Sequence, residues 1–424
     1  MSSFANMGGL SSNMTLSYRS MGAKQTMPNP ETGVAFADRS LEITFGVHAF
    51  DEVDKGDWDQ LFRQSGSYNL FYDYRTIQAA QLVWKRYRSL KVICGYSDNN
   101  LIFLQPIRVR GSGIAKVLEL LSLPTADTNE PLVASGHWEN ATRRFLDFVS
   151  GSFHPDIIVA KSVSERLYSA LVSHFERAHT GVKRIRKARV LYLPSTVEGY
   201  WSSLNSKSRN QLKRKIKKAR VSGFDFRVIH SGGAATGYDL GEALDELTQL
   251  HRKRFDSMNR DSFFVKDNFQ RFHRHLCERS NSAPVSFMFT EALLAGEVVG
   301  SIYGMRSDQV YIYLMIGFNP DLACYSVGNL LIYNTIEHLI VRQTKVFDFK
   351  CGKEPYKERW TKDFYQNYDV NVCFTKRGRL LDYVFDILKL AHGARRIPKN
   401  IDKLAHRAGR IPKKISRLIK SRTA

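Results

Sequence analysis

Four residues with acid–base side chains lie close together towards the C-terminal end of the chain: Asp348, Glu354, Tyr356 and Lys357. They stand at or just beyond the end of a predicted strand, where loop residues on a rigid scaffold commonly carry function. Glu354 could accept a proton from a nucleophile, Tyr356 could return one to a leaving group, and Lys357 could offset developing negative charge. The alternative is a solvated loop whose charges pair with one another.

The segment 325–331 is predicted to pass from a tight turn into a helix. The first amides of a helix have no intrahelical acceptor and the helix dipole adds positive potential there, so such a start can hold phosphate groups. Gly328 would let a ligand approach the main chain closely. An ordinary strand-to-helix turn is the alternative. The candidate phosphate-binding residues are Tyr325, Ser326, Val327, Gly328 and Asn329.

A second basic candidate is the helix predicted over residues 206–222, which has eight Lys or Arg and no acid. Leu204, Leu212, Ile216 and Ala219 recur at helical spacing and predict an inward stripe. We therefore interpret it as a packed helix with a charged outer face rather than a nucleic-acid-binding one. Arg209 and Lys213, one turn apart, could face phosphates of a ligand.

The net charge of +22 is concentrated in two stretches. Residues 206–222 carry +8 and residues 392–424 carry +10, so the rest of the chain is nearly balanced. The five cysteines lie far apart without a Cys-x-x-Cys pair, which argues against a zinc site or a disulfide framework and favours a reducing cytoplasm. His273 and His275, two residues apart on a predicted helix, point to different faces, so no metal site is predicted.

The tail contains a repeat, in which residues 396–404 recur as 410–418. The offset of fourteen residues is close to four helical turns, so the Ile and Leu residues of both copies can share one face while Lys and Arg cover the rest. Such a helix suits an anionic membrane surface, which makes residues 392–424 a candidate membrane-surface segment. A disordered solubilising tail and an RNA-binding tail are the alternatives.

Hydrophobic periodicity predicts the same order of elements in both halves: a strand, two helices, three strands, a helix, a strand, a helix and a strand. That order indicates an α/β protein, a mixed sheet with helices on both faces, occurring twice. The predicted divisions are a flexible leader (1–40), a first domain (41–194), a second domain (195–385) and a basic amphipathic tail (386–424). In the first domain, residues 123–130 replace the Gly328 turn, and we expect them to form one wall of a substrate cleft.

Six stretches of the second half resemble the C-terminal domain of Fem-type acyltransferases of the GNAT (acetyltransferase-like) superfamily. They are residues 206–222, 250–255, 311–319, 324–331, 346–349 and 352–360. The nearest subgroup is the one associated with cellulose and exopolysaccharide biosynthesis, the CelD-like proteins. The resemblance extends over about residues 41–380 and is strongest between 200 and 365.

The resemblance implies two tandem GNAT-like domains, the first degenerate and the second an N- or O-acyltransferase. The implied co-substrate is acyl-coenzyme A, acetyl or longer, and the acceptor is an amine or hydroxyl on a small molecule or glycan, such as a polysaccharide precursor. The four acid–base residues would act on the acceptor and the leaving thiolate, and the phosphate-binding residues would hold the donor. We expect no metal, no nucleic-acid partner, and a cytoplasmic protein that attaches to the inner face of the plasma membrane.

Two other functions stay open. A Fem-like transferase that uses aminoacyl-tRNA as donor would suit the basic helix. A non-catalytic module that keeps the fold and binds an anionic polymer or membrane would also suit the charge.

The tail generates a first prediction. The full chain should co-sediment with vesicles that contain anionic lipid, and a chain truncated after residue 390 should not, because each cation near the surface contributes about 1 kcal/mol. Neutral vesicles provide the control. Equal sedimentation of the two chains with anionic vesicles would contradict membrane attachment through the tail.

Overall fold

The computed structural model describes residues 42–112, 115–231, 239–278 and 284–393. The predicted leader and the repeats at 396–404 and 410–418 lie outside the described residues. Among the helices that the structure describes, none combines the length and the apolarity needed to cross a bilayer.

The first half has the predicted order of strands and helices. Its elements are β1 (Thr44–Ala49), α1 (Lys55–Ser65), α2 (Tyr74–Val83), β2 (Lys91–Ser97), β3 (Asn100–Ser112), β4 (Ala115–Leu120), the two-residue β5 (Leu132–Val133), α3 (Trp138–Phe148), β6 (Ile157–Ser164), α4 (Glu165–His174) and β7 (His179–Tyr192).

The second half repeats the order behind two helices of its own. Its elements are α5 (Val197–Ser203), α6 (Ser206–Val221), β8 (Phe224–His230), α7 (Leu240–Asp256), α8 (Asp267–Glu278), β9 (Ser286–Leu294), β10 (Glu297–Arg306), β11 (Val310–Phe318), α9 (Val327–Val341), β12 (Val346–Cys351), β13 (Phe364–Cys373) and α10 (Lys376–Gly393). Helix α10 runs through the predicted boundary at residue 385 and was not predicted.

The helix predicted near residues 354–363 is wrong, because the segment contains only a single 3-10 turn at Lys357–Arg359. Its side chains donate to main-chain carbonyls outside the segment. Lys357 donates to the carbonyls of Lys350 and Cys351, and the Thr361 hydroxyl donates to the carbonyl of Val190. These tertiary contacts override the local preference for helix.

All the strands that the structure describes join one sheet, in the order β1-β2-β3-β4-β6-β13-β7-β12-β11-β10-β9-β8, with β5 beside β3. The last strand of each half is exchanged between the halves. Strand β13 of the second half pairs with β6, and β7 of the first half pairs with β12. The two exchanged strands pair with each other from Phe364↔Arg189 to Cys373↔His179. The fold is therefore the predicted α/β arrangement of two similar halves, fused into a continuous sheet.

The two faces of the sheet have separate cores. One cluster joins both halves and contains the inward side chains of α7 and α8. The other lies under α9 in the second half, where Phe347 and Phe349 of β12 pack with Leu330 and Leu331 of α9. Helix α6 covers this second cluster with Leu212 and Ala219 buried, as its apolar stripe predicts.

The feature that shapes the candidate site is the parting of two parallel strands. Strands β11 and β12 pair only from Val310↔Val346 to Ile312↔Asp348. Immediately afterwards β11 has a bulge, because Tyr303 pairs with Met315 while the next residue of β10 pairs with Tyr313, which leaves Leu314 as an extra residue. A bulge bends its strand and disrupts the ladder. The rest of β11 therefore runs beside β10 and away from β12.

Helix α7 packs directly on the far end of β11, and Gly317 makes this approach possible. A Cβ atom at Gly317 would lie 2.5 Å from the His251 amide nitrogen and 2.9 Å from the Leu247 carbonyl oxygen. Both contacts are to main chain, which cannot rotate away.

We accordingly predict that Gly317→Ala lowers the free energy of unfolding by about 1–3 kcal/mol, as for other overpacked sites. The matched control is Gly151→Ala, since a Cβ there meets nothing within 4 Å. Chemical denaturation of both variants checks this. Equal stability of the two would show that α7 does not press on β11.

Candidate active site

Asp348 lies at the point where β11 and β12 part. Its side chain is 4% exposed, and its carboxylate accepts hydrogen bonds from the Tyr365 hydroxyl (2.6 Å) and the Lys350 amide (2.6 Å). Burial raises the pKa of Asp348 from its usual 3.8 to about 6, and the two hydrogen bonds oppose that rise. The carboxylate is therefore ionised at neutral pH and close enough to its pKa to take up a proton.

The first half supplies a wall beside Asp348, in the segment for which a cleft wall was expected. The Asp127 carboxylate accepts from the Cys351 amide at 3.1 Å and lies 3.8 Å from the Lys350 ammonium. That ammonium also donates to the Thr125 carbonyl at 2.7 Å. The Asn367 side-chain amide of the exchanged strand β13 donates to the Asp127 carbonyl. Residues from three separate parts of the sequence thus fix the surroundings of Asp348.

Two hydroxyl groups in this region are buried without a hydrogen-bond partner among the described residues: those of Thr125 and Tyr192. Burial raises the pKa of Tyr192, and the nearby carboxylates of Asp363 and Asp348 add to the rise. Tyr68 of the first half lies near Tyr192. Buried hydroxyls are normally hydrogen-bonded, so unpaired ones around a carboxylate favour a polar ligand in that place.

Cys351, next to the same group, is not set up as a nucleophile. Burial, together with Asp127 and Asp348, raises the pKa of its thiol to about 12. A thiol with so high a pKa stays protonated at neutral pH.

Lys357 and Glu354 form a structural pair. The Lys357 side chain is 4% exposed, and its ammonium donates to the Glu354 carboxylate (3.0 Å) and to the carbonyls of Lys350 (3.3 Å) and Cys351 (3.2 Å). An ammonium has three N–H donors, and all three are used here. Lys357 therefore holds the turn after β12, and Glu354 is the exposed member of the pair, 54% accessible.

Tyr356 lies on the opposite face of the sheet from Asp348. It packs with the cluster that contains Phe347 and Phe349, whereas side chains alternate along β12 and Asp348 projects to the other face. The hydroxyls of Tyr356 and Tyr313 share a hydrogen bond, and Arg254 of α7 is near both. Burial raises the pKa of Tyr356 to about 12, so it is protonated at neutral pH.

The start of α9 has the backbone geometry of an anion site. Ser326 takes a left-handed conformation (φ 57°, ψ 44°) and caps the helix without a side-chain bond, and its carbonyl accepts from the Asn329 and Leu330 amides. Within the described residues, the Val327 and Gly328 amides have no hydrogen-bond acceptor. The close approach at Gly328 is to a protein group, since a Cβ there would lie 3.1 Å from the Phe318 ring.

Basic side chains surround this helix start, but they are not those expected. Lys218, in the last turns of α6, donates to the Cys324 carbonyl at 3.2 Å and lies 4.7 Å above the Tyr325 ring. Arg254 lies 4.5 Å above the Phe318 ring. By contrast, Arg209 donates to the carbonyls of Ser202 and Leu204 at the α5–α6 junction.

Lys213 is exposed on α6, and its ammonium lies 5.7 Å from the centre of the Trp201 ring. Its contacts place it towards the α5 end of α6, whereas Lys218 belongs to the end that meets the segment before α9. For a phosphate-binding role at α9, Lys218 is therefore better placed than the two residues proposed from helical spacing.

The residues proposed from the sequence thus fall into two groups, one on each face of the parted strands. Asp348 faces the first half, while Tyr356 and the start of α9 share the other face. The parting between β11 and β12 is the passage that would connect the groups. Sequence reasoning missed Asp127, Tyr313 and Leu314. Of these, only Asp127 was indicated, because residues 123–130 were expected to form one wall of the cleft.

Residues 206–358 match the family model of the acetyltransferase (GNAT) domain. No curated protein matches the chain. Among solved structures, the chain is similar to FemX, with 9% identity and a TM-score of 0.56 over 81% of this chain and 99% of that one. It is also similar to a conserved protein of unknown function from Bacteroides thetaiotaomicron, with 12% identity and a TM-score of 0.50 over 78% of this chain and 100% of that one. At such identities the similarity is one of fold.

Residues 206–358 are therefore similar to a GNAT acetyltransferase domain, and the whole chain folds as two similar α/β halves, as the sequence predicts. The relation to the CelD-like subgroup stays a prediction.

The raised pKa of Asp348 makes stability depend on pH. Because the folded carboxyl ionises at about 6 and the unfolded one near 3.8, ionisation costs stability as pH rises through that interval and the loss persists above it. Asp348→Asn removes this cost, so the variant should gain about 1–3 kcal/mol relative to wild type between pH 4 and pH 8.

Urea denaturation at the two pH values measures the difference. Asp225→Asn, at an exposed position of β8, is the control and should show no such gain. A difference between Asp348→Asn and wild type that does not change with pH would contradict a perturbed carboxyl at this site.

Proposed function

We propose that the protein transfers an acyl group from acyl-coenzyme A to an amine or hydroxyl, on a sugar or another precursor of a surface polysaccharide. The observation that carries the donor part is the parting of β11 from β12, which leads to the open amides at the start of α9. Both lie inside the segment that matches the acetyltransferase domain. The sugar part depends on the resemblance to the exopolysaccharide-associated subgroup.

The donor's phosphates would lie at the start of α9, with Lys218 and Arg254 as neighbouring cations. A helix start favours phosphate because its free amides and its dipole act together. The acyl-bearing arm would then enter between the parted strands. The bulge at Leu314 favours this position, because the residue that a bulge adds is left out of the ladder. Its amide can then donate a hydrogen bond to the oxyanion that develops in the transition state.

The acceptor would occupy the other face, in the cleft between the halves. Asp348 is proposed as the base, since a buried carboxylate with a pKa near 6 can take a proton from an amine or hydroxyl at neutral pH. The unpaired hydroxyls of Thr125 and Tyr192 suit a hydroxylated acceptor. Tyr356 is proposed to protonate the leaving thiolate, and Lys357 to hold the turn that carries it.

The donor assignment can be tested without knowing the acceptor. Isothermal titration should show one acyl-coenzyme A bound per chain, and Lys218→Ala should weaken it by about tenfold, the effect of losing a charged contact. The matched control is Lys207→Ala at the other end of α6, which is also exposed and should bind as wild type.

Mass spectrometry of the purified protein, in search of a retained donor, would complement this titration. Failure to bind any acyl-coenzyme A, or binding that ribonuclease abolishes, would overturn the proposed donor.

A further inference from the structure

A polar cavity of about 300 Å³ opens in the second half, at the end opposite to the start of α9. It lies where β8 and β10 end, where β9 begins, and beside the last turns of α9. Arg342, in its wall, is fourteen residues along the helix from Gly328, which corresponds to about 21 Å. The cavity is therefore separate from the proposed acyl-transfer site. Its charged and titratable wall residues are Arg63, His230, Arg306, Asp308, His338 and Arg342.

The wall has an excess of cationic groups. Three guanidinium groups and two imidazoles face a single carboxylate, Asp308, which is exposed. Among the described residues, no carboxylate lies within ion-pair distance of Arg63, Arg306 or Arg342. Arg63 and Arg342 are exposed, whereas Arg306 is partly buried like Arg186, which does have a carboxylate partner.

The chain segments that adjoin these wall residues in sequence add no negative charge. Residues 232–238 and 279–283 contain no Asp or Glu.

Arg306 has no paired carboxylate. It is partly buried, and burial lowers its pKa, while the exposed Asp308, beyond ion-pair distance, opposes that change and Arg342 adds to it. Its Nε donates to the Thr344 hydroxyl at 3.1 Å, and its terminal nitrogens have no acceptor among the described residues. A charge partly removed from water without a paired carboxylate is costly, so an anion in the cavity would stabilise it.

His338 couples the cavity to protons. Its ring lies 6.5 Å from that of His230. Burial, together with Arg342, His230 and Arg306, lowers the pKa of His338 to about 4. The other charged groups in the cavity wall are Asp308 and Arg63. A bound dianion would favour the protonated ring, so anion binding and proton uptake should support each other.

We infer that this cavity binds the phosphate group of a small soluble phosphate ester. Guanidinium groups present paired N–H donors that match a tetrahedral oxyanion, and the cavity is large enough for a phosphate with a small organic group attached. The site is additional to the acyl-donor site and does not depend on it.

Sulfate is the probe for the first test, because it stays a dianion from pH 8 to pH 6 and any change with pH belongs to the protein. At constant ionic strength in chloride, isothermal titration should show sulfate binding that Arg342→Ala weakens tenfold or more. Arg214→Ala, at an exposed position of α6, removes the same charge elsewhere and should bind as wild type. Equal loss in the two variants, or no sulfate binding by wild type, would overturn the site.

The pH arm uses His338. Sulfate affinity of wild type should increase at least threefold from pH 8 to pH 6, and His338→Asn should remove most of that increase. Thermal denaturation of each variant establishes that it is folded. An unchanged pH dependence in His338→Asn would contradict the coupling that the cavity geometry implies.

A third arm identifies the source of the phosphate. Glycerol 3-phosphate in solution should bind with the same sensitivity to Arg342→Ala. Binding that is sensitive to Arg342→Ala only with vesicles of phosphatidic acid, and absent with glycerol 3-phosphate, would contradict a soluble ligand.

Discussion

The bulge at Leu314 is the constraint from which the rest of the candidate site follows. Parallel strands hydrogen-bonded along their whole length would present a closed surface between β11 and β12. One extra residue in β11 bends the strand, and pairing with β12 ends after Ile312↔Asp348. Beyond that pair, the two strands no longer hydrogen-bond to each other. The separation also places Asp348 at the edge of an opening rather than inside a closed ladder.

The second requirement is that something must hold the parted strands in position. Helix α7 braces the free part of β11, with its main chain close against Gly317. The imidazole of His251, a residue of the same helix, also fixes the strand, since its Nδ1 donates to the Ile316 carbonyl at 2.9 Å and its Nε2 accepts from Ser262 at 2.7 Å. Burial lowers the pKa of His251, which keeps the ring neutral in this bridging position. An opening braced in this way can persist without a ligand.

Much of the fold follows from local patterns in the sequence. The order of elements in the first half and the inward stripe of α6 were both predictable, because the hydrophobic period and the turn chemistry act over a few residues. The exchange of β7 and β13 was not. The basic stretch before Ala188 is typical of a surface loop, but in the structure it pairs with β13. No local pattern can indicate a partner that lies so far along the chain.

In the candidate site, too, local positions were predictable and long-range contacts were not. Sequence spacing located the strand end at Asp348 and the helix start at Gly328, but it could not show which cations were already engaged. Lys357 and Arg209 each donate to two main-chain carbonyls, whereas the exposed Lys218 donates to one, that of Cys324. Carbonyl positions depend on tertiary structure. Charged residues proposed from spacing alone therefore need the fold before they can be given roles.

The strand exchange also constrains the order of folding during synthesis. The sheet of the first half is bordered by β6, whose neighbour β13 is the last of the described strands to leave the ribosome. Until residues 364–373 emerge, the nascent first half has an unpaired sheet edge, and such edges promote aggregation. We would therefore expect the growing chain to need protection by a chaperone, or slow translation, for longer than two independent domains would require.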